Sequence, residues 1–196
     1  MAFSVQEFRS AMQFDGARPN LFHCEVNFPL PITQGDSLNV SEKFRFMCRA
    51  AQLPGSTVNQ IPVNYFGREL KFAGNRIFPE WTVTIINDED FKVHQAFELW
   101  MNGLNSHGTN IRNPQLVNPE GGPESYQTDG YVVQFGKSGN KLKRYKLVGM
   151  FPIDISPIDL DWAANDTIEE YAVTFAYQWW QQTPQDDGAE ENVDIF

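Results

Sequence analysis

Residues 74–88, GNRIFPEWTVTIIND, decide the fold, because they join a regular strand pattern to an abrupt polar stop. Residues 81–85 alternate between apolar side chains and threonine, and strand side chains repeat every two residues. This segment is therefore predicted to be a strand with one buried face, formed by Trp81, Val83 and Ile85. Asn87-Asp88 ends the apolar alternation and predicts the entry to a helix.

The segment that follows predicts the one substantial helix of the chain. Asp88 is the expected N-cap, with acidic residues in the first turn, where they favour the positive end of the helix dipole. Apolar residues then recur at intervals of three and four, and Gly103 is the expected terminator. The predicted core face consists of Val93, Ala96, Phe97, Trp100, Met101 and Leu104.

A short N-terminal helix is predicted over residues 3–12. Ser4 and Glu7 have the spacing of a capping box, and Phe3 and Phe8 that of a hydrophobic staple. Its apolar face, formed by Val5, Phe8 and Met12, is expected to dock on this subunit or on a neighbour.

The rest of the body is predicted to be β-strands. Alternating patterns cover residues 22–28, 43–50, 131–135, 141–150 and 168–180, with polar loops over 29–39 and 104–129. The prediction is a single mainly β domain over residues 1–180, an antiparallel β-sandwich or barrel, followed by a flexible acidic tail over 181–196. The predicted core comprises Trp81, Val83, Ile85, Phe97, Trp100, Trp162 and Phe175.

Residues 55–76 predict a projecting, hairpin-like arm. Two apolar-rich runs flank Gly67, and one small core has no obvious place for their side chains. Exposed apolar groups on such an arm require a partner. The candidate contact residues are Ile61, Val63, Tyr65, Phe66, Arg68, Leu70, Phe72 and Arg76.

Charge is distributed unevenly along the chain. The net charge is -10, yet residues 1–146 carry 15 basic and 14 acidic groups, whereas residues 147–196 carry 11 acidic groups and no Lys or Arg. An acidic chain repels phosphates, which argues against sequence-specific nucleic-acid binding. The basic residues of the 43–50 pattern, Lys43, Arg45 and Arg49, form either a solvated face or a surface that meets an acidic neighbour.

Motifs for catalysis or metal binding are not found. The three histidines are scattered with no zinc-binding spacing, no Gly-x-Ser-x-Gly elbow is present, and the glycine of a phosphate-binding loop is missing before Gly136-Lys137-Ser138. Cys24 and Cys48 are expected to be buried free thiols. We therefore expect no enzymatic activity and no cofactor. With no leader pattern and no long apolar segment, the chain is expected to be a soluble protein made in the cytoplasm.

Several short pieces of the chain occur in a characteristic order and spacing. They are residues 17–22 (ARPNLF), 46–50 (FMCRA) with 53–54, 61–63 (IPV), 67–68, 73–78 (AGNRIF) with 81–84 (WTVT), 87–88 and 160–162 (LDW), followed by the long terminal strand. Together these pieces resemble the tail tube proteins of T4-type contractile-tailed bacteriophages. They run through residues 17–180, so the resemblance covers most of the chain.

The resemblance implies a subunit that forms hexameric rings, with a fold similar to the tube protein of type VI secretion. Stacked rings would form a tube inside a contractile sheath, through which the genome passes without specific binding. The implied partners are other copies of the chain and the sheath, baseplate, tape-measure and tail terminator proteins. The implied location is the phage tail, assembled in the host cytoplasm.

Within this family, two contacts are expected between subunits. The 55–76 arm is expected to reach a neighbouring subunit or ring. The basic residues Lys43, Arg45 and Arg49 are expected to face acidic groups of another subunit, with Asp159, Asp161, Glu169 and Glu170 as candidates; exposed pairs contribute only ~0–1 kcal/mol each.

Two alternatives stay open from the sequence. One is the tube of a contractile secretion or injection system that carries protein effectors. The other is a monomeric β-barrel that binds a small apolar ligand, which would also explain aromatic strands.

Overall fold

The computed structural model describes residues 4–12, 16–29, 37–114 and 126–183. It contains three helices and nine strands within these ranges. The elements in chain order are α1 (Val5–Ala11), β1 (Phe22–Val26), α2 (Ser37–Met47), β2 (Cys48–Ala51), β3 (Thr57–Tyr65), β4 (Arg68–Ile77), β5 (Trp81–Ile86), α3 (Lys92–Leu104), β6 (Thr128–Phe135), β7 (Lys141–Ile155), β8 (Glu170–Ala176) and β9 (Trp179–Thr183).

Seven strands form one antiparallel sheet in the order β1-β6-β7-β8-β5-β2, and β9 also pairs with β7. The central strand β7 changes partners along its length, because residues 144–148 pair with β9 and residues 151–155 pair with β8. Gly149 separates the two regions and has a φ of 64°. A left-handed backbone favours glycine, and an added Cβ would lie 3.0 Å from Gln127 Oε1. The mainly β, antiparallel fold predicted from the sequence is confirmed.

The predicted strand at residues 81–85 is confirmed as β5. Its apolar side chains are buried and its pattern alternates. It pairs with β8 in a register that places Trp81 opposite Phe175 and Val83 opposite Val173. The Trp81 indole Nε1 donates a hydrogen bond of 2.8 Å to the Gln52 carbonyl, which satisfies its polar atom at the edge of the core.

Aromatic side chains fill the core between the sheet and the helices. The Phe28 ring lies 4.9 Å from Phe97 and 5.8 Å from Trp100, and Phe97 also contacts Phe175 at 5.7 Å between centroids. The largest fully buried side chains are Trp100, Tyr171, Phe44, Phe97, Phe175, Ile85, Leu147 and Met150.

The prediction of a strand over residues 43–50 is wrong. Helix α2 runs to Met47, and only Cys48–Ala51 forms a strand. Val40 and Phe44 are buried and Met47 packs against the core, a spacing of four and three that follows the helical period. Phe46, expected to point inward, is 68% exposed. Among the described residues, two helices therefore have more than ten residues, since α2 has 11 and α3 has 13.

Helix α3 has the predicted apolar face but not the predicted ends. Val93, Ala96, Phe97 and Trp100 are buried. The N-cap is Phe91, with a φ of 51° and no side-chain cap bond, so the assignment of Asp88 was wrong. Gly103 lies inside the helix and is buried, so it does not terminate it; the C-cap is Asn105.

The predicted long strand over 168–180 is divided into β8 and β9, with Tyr177 and Gln178 between them. Trp162, predicted to be in the core, is fully exposed in the segment between β7 and β8. The hairpin predicted over 131–150 is confirmed, with β7 continuing to Ile155. The predicted loop over 29–39 ends earlier, because α2 begins at Ser37.

The short N-terminal helix is confirmed, and Ser4 caps it by accepting a hydrogen bond from the Glu7 backbone N–H. Cys24 and Cys48 are free thiols, the first buried and the second partly buried. Hydrogen bonding to Cys48 and burial raise the pKa of the Cys24 thiol, so it stays protonated at neutral pH. Phe3, much of the 104–129 loop and most of the acidic tail lie outside the described residues. No helix of the described segments is long and apolar enough to cross a membrane.

The aromatic core should dominate the stability of the subunit. Replacing the buried Phe97 with Ala is expected to lower the free energy of unfolding by about 3–5 kcal/mol, because it leaves a cavity between the sheet and α3. Phe8→Ala, on the exposed face of α1, is the matched control, with an expected change within about 0.5 kcal/mol. Urea unfolding measures both, and equal losses would contradict this description of the core.

Candidate assembly surface

Strands β3 and β4 form a separate two-stranded hairpin outside the main sheet. Every residue of β3 is exposed, and in β4 only Gly74 is partly covered. The segment predicted as a hairpin-like arm therefore folds as a long antiparallel ribbon. A two-stranded hairpin is at best marginally stable alone in water, so packing on another surface would stabilise it.

One face of the hairpin is apolar. Ile61 pairs with Phe72 and Val63 pairs with Leu70, so the four side chains lie next to one another on the same side. Their exposed fractions are 52, 55, 45 and 43% respectively. Tyr65 pairs with Arg68 on the same face and extends it toward the tip. This face is an exposed apolar patch without a partner in the described subunit.

The base of the hairpin is attached firmly to the body. The Trp180 indole Nε1 donates a hydrogen bond of 2.8 Å to the Gly55 carbonyl. Phe78, just after β4, packs edge-on against Trp180 with 6.5 Å between the ring centroids, and it also contacts Tyr177. These contacts come from both ends of the hairpin, so its base has a defined position relative to the main sheet.

The tip of the hairpin has an unusual turn. Phe66 and Gly67 connect the strands with φ angles of 47° and 79°, as in a type I′ turn, which favours Asn-Gly. Phe66 is 91% exposed, and the centroid of its ring lies 4.5 Å from that of Tyr65. A bulky aromatic residue in the left-handed region costs roughly 1–2 kcal/mol relative to the right-handed one. Strain of this kind is typical of positions that serve a contact or a function.

We predict that Phe66→Asn leaves the free energy of unfolding unchanged or raises it by up to about 1 kcal/mol, because Asn fits the left-handed position better. The same variant should weaken self-association, since it removes an exposed aromatic side chain from the tip. Urea unfolding and sedimentation at matched concentrations measure the two effects. Phe66→Tyr keeps the ring and is the control; a clear loss of stability in Phe66→Asn would contradict the strained turn.

A second exposed apolar surface lies between β7 and β8. We call residues 156–168 the Trp162 loop. Leu160 is 81% exposed, Trp162 is fully exposed and Ile168 is 71% exposed. The loop also carries Asp159, Asp161 and Asp166, and no Lys or Arg. These carboxylates stand on both sides of Trp162 in the sequence and argue against its burial. The prediction that placed Trp162 in the core overlooked them.

The predicted charged residues find partners within the same subunit. Lys43 Nζ lies 2.7 Å from Asp88 Oδ2 and also contacts Asp90. Arg49 pairs with Glu170, the one pair that the structure brings together from the predicted set. Arg45 lies near Glu25 and Glu42.

The predicted acidic partners Glu169 and Asp161 are engaged locally. Glu169 accepts a hydrogen bond from Asn87 Nδ2, and Asp161 accepts one from the Ala163 backbone N–H. The basic residues Lys43, Arg45 and Arg49 therefore form ion pairs within the subunit itself. Their pairing with another subunit stays a prediction.

The Lys43 ammonium group lowers the pKa of Asp88 and Asp90 below their usual value of 3.8. A carboxyl group with a lowered pKa in the folded state contributes stability above its unfolded pKa and loses it as pH falls through the folded pKa. The contribution should thus be complete above about pH 5, decrease as the pH falls past 3.8, and disappear only below the lowered pKa values of the folded state.

We predict that Lys43→Met makes the free energy of unfolding less dependent on pH in the acidic range, because Asp88 and Asp90 lose the neighbouring charge that lowers their pKa values. Urea unfolding midpoints at pH 7 and pH 3 should differ less in this variant than in the unmodified protein. Lys71→Met, on the exposed hairpin, is the control and should keep the original pH dependence. Identical curves for all three proteins would rule out this contribution.

Comparison with known proteins gives the family. A family model described as "Phage tail tube protein" matches residues 17–183. This chain belongs to the phage tail tube protein family. Tail tube protein gp19 of Enterobacteria phage T4 is 31% identical over 168 residues, covering 85% of this chain and 92% of gp19. The tail tube protein of Serratia phage KSP90 is 25% identical over 179 residues, covering 89% and 94% of the two chains.

Solved structures show the same fold at lower identity. The anti-feeding prophage tube-terminating cap protein aligns with a TM-score of 0.59 at 14% identity, covering 88% of this chain and 93% of that one. A chain of the extended PVC sheath-tube complex, an extracellular contractile injection system, aligns with a TM-score of 0.55 at 13% identity, covering 93% and 99%. The family predicted from the resemblance is confirmed, and this tail tube protein is a structural component of a phage tail.

Proposed function

We propose that this tail tube protein assembles into hexameric rings that stack into the inner tube of a contractile phage tail, the conduit for the genome into the host. The observation that carries the proposal is the β3–β4 hairpin, which projects an apolar face that the isolated subunit leaves exposed. Six subunits per ring is the number that the family resemblance implies.

Covering this face would supply a substantial part of the assembly energy. Ile61, Val63, Leu70 and Phe72 are each about half exposed, and full burial of a large apolar side chain contributes about 1.5–3 kcal/mol. Each would therefore add about 1 kcal/mol on docking. A hairpin that folds against a neighbour also gains the support that it lacks as an isolated two-stranded ribbon.

The strand order supports ring closure. The six-strand path ends at β1 on one side and at β2 on the other, and both strands are short. Sheet edges invite pairing with other chains, and a closed ring covers them with identical neighbours. Stacking is a second, head-to-tail contact that does not close on itself, so it extends a tube. The exposed face of α1 offers a further contact to a neighbouring subunit.

The proposed cargo is DNA, which passes without specific binding. Residues 147–196 carry 11 acidic groups and no basic residue, and those acidic groups that face the lumen would repel phosphates. Relatives with 25–31% identity over most of the chain are phage tail tube proteins, whereas the chain of the PVC contractile injection system is only 13% identical. This difference favours a genome conduit over an effector tube.

The remaining partners follow from the same role. We propose contacts with the tail sheath, baseplate, tape-measure and tail terminator proteins, and assembly in the host cytoplasm. The similar PVC chain was solved in a complex of sheath and tube, which supports a sheath around this tube as well. The role is structural and involves neither catalysis nor a cofactor.

The hairpin face gives a direct test of assembly. We expect the double variant Leu70→Ser/Phe72→Ser to remain folded and monomeric at concentrations at which the unmodified protein forms rings or tubes, because the apolar face is lost. The control Glu69→Ser/Lys71→Ser changes the opposite face of the same strand and should still assemble. Negative-stain electron microscopy and mass measurement in solution give the result; normal tubes from the Leu70/Phe72 variant would refute the role of the hairpin.

A further inference from the structure

We propose that the β3–β4 hairpin of one subunit docks on the Trp162 loop of a second copy. In this contact the apolar face of the hairpin covers Leu160, Trp162 and Ile168, and Arg68 on that face meets the carboxylates of the loop. The inference rests on the proposed function, because it identifies the surface that receives the hairpin within the assembly.

The two surfaces are both apolar and both exposed. Trp162 has its full surface in water, which is unusual for the largest apolar side chain, and Leu160 is 81% exposed beside it. On the hairpin, Ile61, Val63, Leu70 and Phe72 form a continuous half-exposed face. Trp, Tyr and Arg dominate the energetics of protein interfaces, and the two surfaces contain Trp162, Tyr65 and Arg68.

The two surfaces carry opposite charge. Residues 57–77 contain three basic residues and one acidic residue, for a net charge of +2. Residues 156–168 contain three acidic residues and no basic residue, for a net charge of -3. Arg68 lies on the same face of the hairpin as Leu70 and Phe72, so it would enter the contact with them. Opposite potentials of this kind orient two partners as they meet.

The alternative basic surface is already neutralised within the subunit. Lys43, Arg45 and Arg49 all form ion pairs with acidic residues of their own chain. In the described part of the chain, Arg68 and Lys71 make no such pair, and neither do Asp159 and Asp166. The charges of the hairpin and of the Trp162 loop are therefore among those that remain available for a second copy.

A second copy fits better than an intramolecular contact. The hairpin and the loop are both exposed in the same subunit, so neither covers the other there. The hairpin and the loop are two different surfaces, so the contact between them is heterologous. Each copy can bind one neighbour through its hairpin and another neighbour through its loop. Arg68 would also be able to lie over the Trp162 indole, an arrangement that favours a guanidinium group over an ammonium group.

Charge reversal tests the pairing. We expect Arg68→Glu and Asp159→Lys/Asp161→Lys each to raise the concentration needed for tube formation by about tenfold or more, because each places like charges together. The variant with all three changes should return to within about threefold of the unmodified protein, since opposite charges meet again. Lys137→Glu/Lys143→Glu, on other exposed residues, is the matched control and should assemble normally.

Folding is checked by urea unfolding of every variant, so a loss of assembly is counted only when the monomer is intact. The proposal is overturned if Asp159→Lys/Asp161→Lys assembles like the unmodified protein. It is also overturned if the variant that combines Arg68→Glu with Asp159→Lys/Asp161→Lys assembles no better than Arg68→Glu alone or Asp159→Lys/Asp161→Lys alone. A Trp162 loop variant that forms normal tubes but no longer binds the sheath would show that another tail protein occupies the loop.

Cross-linking separates this inference from the proposed function. Arg68→Cys/Asp161→Cys, assembled and then oxidised with copper phenanthroline, should give a ladder of covalent multimers on a non-reducing gel, because each copy links to the next. Each single cysteine variant is a control and should give no ladder. Tubes without a ladder would overturn the inference while the tube role stands, whereas failure of the unmodified protein to assemble under any condition would count against the tube role itself.

Discussion

The fold depends on one strand, β7, which holds the two parts of the β structure together. It pairs with β6 along one side, and on the other side it passes from β9 to β8 at the left-handed Gly149. Because the strand bends there, β8 and β9 can belong to one continuous segment and still pair with different parts of β7. The aromatic core then packs between this bent sheet and the two longer helices.

The hairpin depends on the same framework. It leaves the body at the end of β2 and returns at the start of β5, two neighbouring strands of the sheet. Trp180 of β9 bonds to Gly55 at its base, and Trp81 of β5 bonds to Gln52 close by. In the proposed assembly, a rigid base would let the exposed ribbon meet a neighbouring subunit at a defined angle, which would lower the entropic cost of docking.

The distribution of charge separates two kinds of contact. Ion pairs such as Lys43 with Asp88 and Arg49 with Glu170 connect elements within the subunit. The hairpin and the Trp162 loop instead combine exposed apolar side chains with charges that have no ion-pair partner among the described residues. The internal pairs thus hold elements of one subunit together, whereas the hairpin and the Trp162 loop leave surfaces for the proposed assembly.

The sequence by itself determined the antiparallel β class, the buried face of β5, the apolar face of α3 and the apolar hairpin, because local period reports which side chains share a face. It also carried enough short matches to indicate the family. Tertiary structure decided that Lys43 lies in a helix, since the buried positions Val40 and Phe44 outweigh the local alternation after residue 43. It also decided that Trp162 lies in water. Hydrophobicity shows that a side chain needs cover, but only long-range contacts determine whether its own subunit or a neighbour supplies that cover.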